Sequence, residues 1–319
     1  MNEQIALSII VPVYNLEAFL PEALESLLKI DFEALYEIIA VDDGSSDGSL
    51  AVLRAYEEKS KAIRVITGPN GGVSRARNAG IEAARGKYLA FADGDDTAEP
   101  GFFAAAVREM EEGGYGLVQG NARYLENGQV RMVLPGCGRR ASAGDPEELA
   151  EWFFGQEQAL LFSVWAKVFR RDLVGETRFE PGVRVAEDLQ FLARLLRKGP
   201  KTLVLDMDAY NYYVRESSVA NTGYAEKGWD AVRVLEECGM EADSPRIRQH
   251  TEKRKTDVLV RIYNTALLNG GDPGKALRAI RETDLRAIRE DLTGKERMKL
   301  QLLQRCRGLY DVLLRVVKF

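Results

Sequence analysis

Residues Pro69–Asp96 read PNGGVSRARNAGIEAARGKYLAFADGDD. The glycines open a turn, Val73–Ala84 keeps a helical period, and Lys87–Ala92 is an apolar strand that ends in a cluster of carboxylates. The same alternation extends towards the start. Ser8–Val13 is a β-branched run, and Phe19, Leu20, Ala23, Leu24, Leu27 and Leu28 recur at helical spacing. Glu37–Val41 reads as a second strand, Leu50, Leu53 and Tyr56 mark a second helix, and Arg64–Thr67 is a third strand. Strand and helix in strict alternation imply right-handed crossovers and a parallel sheet with helices on its faces. Such sheets bind ligands beyond the carboxyl ends of their strands. Here those ends carry Pro12–Asn15, Asp42–Gly48, Gly68–Gly72 and Asp93–Asp96, each polar or glycine-rich.

Past Pro100 the pattern loosens. Phe102–Glu111 reads as a helix, Gly116–Gly120 as a strand and Leu134–Pro146 as a Gly/Pro-punctuated stretch. The apolar pieces Trp152–Phe154 and Val164–Phe169 follow, then a helix at Glu187–Arg197 and strands at Thr202–Asp206 and Tyr210–Arg215. From Gly223 the chain reads as helical to its end, which puts a boundary near Asn221. The whole is 319 residues, 45% apolar and 29% charged, an ordinary globular composition with room for one large domain and a helical appendage. A net charge of −5 gives no basic field for nucleic acid. One histidine, His250, excludes a His-rich zinc site, and Cys137, Cys238 and Cys306 are too few and too scattered for a disulfide framework. The start lacks the basic region of a signal peptide, and no uncharged apolar run approaches the length of a membrane span. The expectation is a cytoplasmic protein.

Two motifs invite misreading. Gly44-Ser45-Ser46-Asp47-Gly48 fits the hydrolase elbow G-x-S-x-G, but its base would have to be His250, in what reads as a charged surface helix. Gly86-Lys87-Tyr88 resembles the end of a P-loop but lacks the upstream glycine and the Ser/Thr. No GxGxxG follows the first strand. Asp93, Asp95 and Asp96 carry more weight. Asp93 and Asp95, two apart at a strand end, lean to the same side, and like charges so close need a counter-ion. Oxygen ligands of this kind suit Mg²⁺ or Mn²⁺ shared with phosphates, whereas the bland alternative is a solvated acidic turn. The second acidic loop, VDDGSSDGS, offers Asp43 to a base N–H, and Asp47 or Ser49 as a helix cap.

SIIVPVYN (Ser8–Asn15), DDGSSDGS (Asp42–Ser49), Pro69–Asp96, VWAKVFRR (Val164–Arg171) and AEDLQF (Ala186–Phe191) occur in that order. Over about Ala6–Asn221 the set resembles the family-2 inverting glycosyltransferases of bacterial surface-polysaccharide type. The resemblance implies the GT-A fold: a Rossmann-like α/β architecture with a mostly parallel sheet flanked by helices, here with a C-terminal helical extension. A glycosyltransferase domain would span 1–221, with a nucleotide-binding half of about 1–97 and an acceptor half of about 98–221. Residues 222–319 would form the helical region. By position, Tyr14 matches the aromatic that stacks on the donor base, with Pro12 beside it, and Asp43 the acceptor for the base N3–H. Asn70–Gly72 and Arg77 match the segment beneath the nucleotide. Asp93-Gly94-Asp95 matches the D-x-D that meets ribose and metal, with Asp95 the foremost ligand, Asp96 a further candidate, and Gly94 in place of the commoner serine. Asp188 matches the catalytic base and Arg215 a basic residue near the diphosphate. The neighbouring Glu187 is expected to point elsewhere.

The implied activity is metal-dependent transfer, with Mn²⁺ or Mg²⁺, from a nucleotide sugar (a UDP-sugar) to a glycan or lipid-linked acceptor. The alternative is a non-catalytic nucleotide-sugar binding or scaffold protein of the same fold. Retention of Asp43, Asp95 and Asp188 speaks for the enzyme. Trp165 reads as core and Lys167 as a contact for acceptor or diphosphate, while Tyr210, Tyr212 and Tyr213 fit a sugar pocket or a half-exposed strand. From Lys295 to Phe319 there are seven Lys/Arg and two Asp/Glu, with Leu302, Cys306, Leu309, Leu313 and Val316 at four-three spacing. That describes one amphipathic basic helix, expected to pack on protein, with peripheral membrane contact or a homodimer as the other outcomes.

Overall fold

Every residue of Leu7–Val13 (β1) is buried, the state of a strand covered on both faces. Around it the computed structural model, which describes residues 5–135, 141–155, 159–215 and 223–317, repeats the expected alternation. The elements are α1 (Leu20–Leu28), β2 (Tyr36–Asp42), α2 (Ser49–Lys59), β3 (Ile63–Thr67), α3 (Val73–Ala83) and β4 (Tyr88–Phe91). The strands lie in the order β3-β2-β1-β4, all parallel. α3 sits close on β1 through Gly80, where a Cβ would stand 2.3 Å from Ile10 Cγ2. That approach fixes how α3 carries its first turn over the strand ends. Gly86 has a structural job as well, its amide donating to Ser8 Oγ at 2.9 Å.

The remaining sheet is mixed. β5 (Thr97–Ala98), α4 (Phe102–Gly113), β6 (Leu117–Glu126), β7 (Gln129–Leu134), β8 (Ala141–Ala143), α5 (Pro146–Phe154), β9 (Lys167–Arg170), α6 (Arg171–Val174), α7 (Glu187–Leu196) and β10 (Thr202–Tyr213) complete it. β9 runs antiparallel between β4 and β6, and β10 lies parallel to β6. The parallel character expected for the sheet therefore holds from β3 to β4, while β5, β7, β8 and β9 add antiparallel pairings. Thr202–Asp206 and Tyr210–Arg215 are one strand, not two. Register shifts between Val204 and Tyr210 let it bulge and continue, and such a bulge reads in sequence as a break. Trp165 belongs to the core, as read, stacked on Tyr210 at 4.9 Å between ring centroids.

The described residues fall into two compact units, one of 5–153, 159–183 and 187–215, the other of 154–155, 184–186 and 223–317. The boundary expected near Asn221 lies outside the described residues, as does Cys137. In the second unit α8 (Tyr224–Met240), α9 (Pro245–Leu268), α10 (Gly274–Glu282), α11 (Gly294–Arg305) and α12 (Arg307–Val317) enclose a core that includes Leu259, Tyr263, Ile280, Leu303 and Tyr310. His250 is not on a surface helix face: it is buried, its Nδ1 2.8 Å from Asp291 Oδ2. The single basic helix expected over 295–319 is also corrected. The backbone leaves the helix at Cys306, and Tyr310 turns inward to pack edge-on against Tyr263 and donate to Asn264 Oδ1 at 3.0 Å. Burial of that tyrosine outweighs helix continuity, helped by Gly308 in the first turn of α12. The residues that pack are Leu300, Leu303, Tyr310 and Leu314, whereas Leu309 and Val316 of the expected stripe stand exposed.

Candidate active site

The loops after β1, β2 and β3 are latched together before any ligand is considered. Asn15, left-handed at φ 55°, accepts the Ser46 amide at 2.8 Å and donates its own to Ser45 Oγ at 3.0 Å. Leu16 donates to Ser49 Oγ at 2.8 Å, and Asp47 accepts the amides of Glu17 at 3.1 Å and Ser49 at 3.0 Å. Asp47 therefore ties the start of α2 to the neighbouring loop. Tyr14 stands at this junction with half its surface exposed, while Pro12 is buried inside β1. Asp43 is a clamp: Oδ1 accepts the Gly71 amide at 2.9 Å and Oδ2 the Gly72 amide at 2.7 Å. Each oxygen keeps a further lone pair for a ligand. Gly44, at φ 73°, lets the third loop close in, since a Cβ there would lie 2.8 Å from the Asn70 amide.

Arg77 lies on the face of α3 that meets the sheet, 3% exposed. Its Nη1 is 2.6 Å from Asp188 Oδ1 and 3.0 Å from Glu187 Oε1, and its Nη2 is 3.1 Å from Asp93 Oδ1. Burial opposes its charge, but Asp188, Asp93 and Glu187 more than restore it, and the guanidinium titrates above its ordinary range. Glu187 is thus not turned away, contrary to expectation; it shares the guanidinium with Asp188. Asp188 opens α7, an acidic first turn whose following residues Leu189, Phe191, Leu192, Leu195 and Leu196 are buried. Its Oδ2 accepts the Val164 amide at 3.0 Å. Burial pushes the Asp188 carboxyl up to about 7 against the pull of Arg77. Nearby, burial lowers the Lys167 ammonium to about 7, with Asp188 acting to raise it. Lys167 Nζ donates to the Ser163 carbonyl at 2.6 Å from a side chain only 1% exposed, so it lies beneath the site instead of reaching out to a ligand. Tyr210 is likewise buried, its hydroxyl accepting the Asp93 amide at 2.8 Å.

The carboxylates of Asp93-Gly94-Asp95-Asp96 are taken by different cations. Asp93 faces Arg77, whereas Asp95 Oδ2 lies 2.9 Å from Arg215 Nη1 and Asp96 Oδ1 lies 3.6 Å from it. Gly94 is tucked against Leu16, Leu20 and Val13. Burial and the neighbouring Asp93 raise the Asp95 carboxyl, and burial with Asp93 and Asp95 pushes Asp96 up to about 8. Asp96 Oδ1 accepts the Tyr213 amide at 3.0 Å, and its buried Oδ2 has no partner among the described residues. No group of three His, Cys, Asp or Glu is set to hold a metal among the described residues. Asp95 and Asp96 nonetheless fit a divalent ion that takes its other oxygens from phosphates, and the orphaned Oδ2 is a ligand to spare.

The family model for glycosyl transferase family 2 matches residues 8–176. The chain belongs to that family. The match takes in Pro12, Tyr14, Asp43, Asn70–Gly72, Arg77 and the acidic cluster, and stops short of Asp188 and Arg215, which geometry alone connects to the rest. EpsJ of Bacillus subtilis strain 168, an uncharacterized glycosyltransferase, is 34% identical over 220 residues, 68% of this chain and 63% of EpsJ. This chain therefore spans a little under two thirds of that relative. Residues 1–349 of S. aureus TarS, solved with UDP-GlcNAc, superpose with a TM-score of 0.65 at 21% identity over 97% of this chain and 88% of that one. The mannosyltransferase PcManGT of Pyrobaculum calidifontis, solved with GDP-Man and Mn²⁺, gives a TM-score of 0.59 at 16% identity over 99% and 87%. These likenesses show the GT-A fold.

Proposed function

We propose that the chain is a metal-dependent inverting glycosyltransferase, moving a sugar from a UDP-sugar to a hydroxyl of a glycan or lipid-linked acceptor in surface-polysaccharide synthesis. The observation that carries this reading is the Arg77 bridge. One buried guanidinium ties Asp93 of the strand-end cluster to Asp188 at the head of α7, so the donor side and the base side of one crevice are held in register. Tyr14 stacks on the base beside Pro12, and Asp43 accepts from its N3–H while keeping Asn70–Gly72 in place as the floor. Asp93 and Gly94 meet the ribose, and Arg215 attends the diphosphate. Asp95 and Asp96, with Asp93 at hand, would hold Mn²⁺ or Mg²⁺, which when bound neutralises charge developing on the leaving diphosphate. The ligands of TarS and PcManGT support a nucleotide-sugar donor and a divalent ion here.

In the transfer, an acceptor hydroxyl oxygen attacks the anomeric carbon and its proton passes to an Asp188 carboxylate oxygen. The carbon–oxygen bond on the opposite face breaks, and the nucleoside diphosphate leaves with the electron pair. Arg77 and the Val164 amide hold Asp188 in one orientation, and burial makes it a stronger base than a solvated carboxylate. Lipid linkage of the acceptor is favoured by α12, whose outer residues Leu309, Val312 and Val316 are exposed beside a basic segment. No helix among the described residues is long and apolar enough to cross a membrane, and the contact proposed is that of a helix lying on the membrane surface.

Asp188→Asn tests the chemistry. Turnover should fall by about 10²–10⁴-fold, the usual contribution of a positioned base, with UDP affinity nearly unchanged. Glu187→Gln leaves the base in place but removes a neighbour of Arg77, and should cost less. Normal turnover in a folded Asp188→Asn protein would assign the base elsewhere.

A further inference from the structure

Arg215 occupies the place where a cation on Asp95 and Asp96 is wanted. Its Nη1 lies 2.9 Å from Asp95 Oδ2 and 3.6 Å from Asp96 Oδ1, and its Nη2 donates to the Asp95 carbonyl. The guanidinium stacks 4.3 Å over the Phe19 ring, with the Tyr213 ring at 5.2 Å on another side. Aromatic contact and carboxylate contact hold it in the same position. Among the described residues Arg77 pairs with Asp93, Glu187 and Asp188 and makes no ion pair with Asp95 or Asp96. The Asp95/Asp96 pair thus has Arg215 as its cation and one buried oxygen, Asp96 Oδ2, left unpartnered.

A guanidinium and a small divalent ion seek the same oxygens, and like charges at contact distance repel. We propose that Arg215 is the internal counter-ion of Asp95 and Asp96 in the nucleotide-free protein, and that a divalent cation binds these carboxylates only as the guanidinium leaves them. Arg215 is then a positioning residue that keeps cation affinity low until the diphosphate offers its guanidinium another anion. The inference rests on the metal and diphosphate assignments above and goes beyond them. A residue that only contacted diphosphate would not influence the metal in the absence of nucleotide, whereas this one does.

The test is a nucleotide-free Mn²⁺ titration of the full chain, followed by the electron paramagnetic resonance signal of free Mn²⁺, in wild type, Arg215→Gln, Arg215→Lys and Asp95→Asn. Arg215→Gln should bind Mn²⁺ more tightly by about tenfold, within the usual range of coupling between sites. Arg215→Lys, which keeps the charge, should stay near wild type. Asp95→Asn should bind weakly. UDP should then tighten Mn²⁺ binding more in wild type than in Arg215→Gln, because only wild type has a counter-ion to release. Unchanged or weaker Mn²⁺ binding in Arg215→Gln, with affinity still lost in Asp95→Asn, would overturn the inference and leave the metal site standing. Mn²⁺ binding indifferent to Asp95→Asn, or absent from every variant, would remove the metal site and the inference together.

Discussion

As the base proposed above, Asp188 can take a proton only when it is ionised, so on that proposal its surroundings set the pH range of transfer. Burial raises its carboxyl to about 7, which makes the protonated, incompetent form dominant below that pH. The expected kcat/KM therefore falls about tenfold per pH unit below about 7 and reaches a plateau above it. A profile between pH 5 and 9 checks this, and a rising limb displaced to the ordinary carboxylate range near pH 4 would show that the base is solvated. Asp43, Asp93, Asp95 and Asp96 were legible in sequence because they follow strands, where such sheets bind ligands, whereas Asp188, at the start of a helix, was marked only by the family resemblance. Arg77 was harder to place. Arg75 and Arg77 look alike in RARN, yet one is exposed and the other buried between carboxylates. The available signal was spacing: Arg77 lies three and four residues before Gly80 and Ile81, the small and apolar residues of the sheet-facing side. Glu187 carried no such signal, because an acidic residue in a first helical turn is favoured whatever it touches.

At the scale of elements, the seat of α3 on β1 is what aims Arg77 at the strand ends. Gly80→Ala places a methyl 2.3 Å from Ile10 Cγ2, in a strand with no slack. Helix propensity would favour alanine by about 1 kcal/mol. Overpacking costs about 1–3 kcal/mol, and a net loss of stability in urea unfolding is expected. Equal or greater stability would mean that Ile10 shifts freely and the contact sets nothing. Elements with one strong period, from β1 to β4, were readable to within a residue or two. β9 and β10 were not. Val164 spends its amide on Asp188 and Ala166 is left-handed at φ 56°, so the apolar run Val164–Phe169 enters the sheet only from Lys167, in the strand Lys167–Arg170. The bulge in β10 puts the polar residues Asp206 and Asp208 in the middle of a continuous strand. Both outcomes depend on tertiary partners that no local pattern records.

For the whole molecule, the proposed membrane contact can be tested through the helical unit. The outer face of α12, with Leu309, Val312 and Val316 exposed at 54%, 58% and 77%, should bring the full chain down with phosphatidylglycerol vesicles but not phosphatidylcholine vesicles. Serine at all three positions should abolish this. A chain that ignores both vesicle types, and is a dimer by light scattering until the serines are introduced, would show that a second copy covers the face. The sequence pattern exposed the amphipathic character of this segment but chose the wrong stripe, because Tyr263 and Asn264, far away in the chain, determine which side Tyr310 turns inward. The donor crevice tests the reading as a whole. UDP titrated into the full chain by calorimetry should bind in the presence of Mn²⁺, and lose most of its affinity in EDTA. Equal affinity in both, or no binding of any nucleoside diphosphate with Mn²⁺ present, would contradict metal-assisted transfer from a nucleotide sugar at these strand ends.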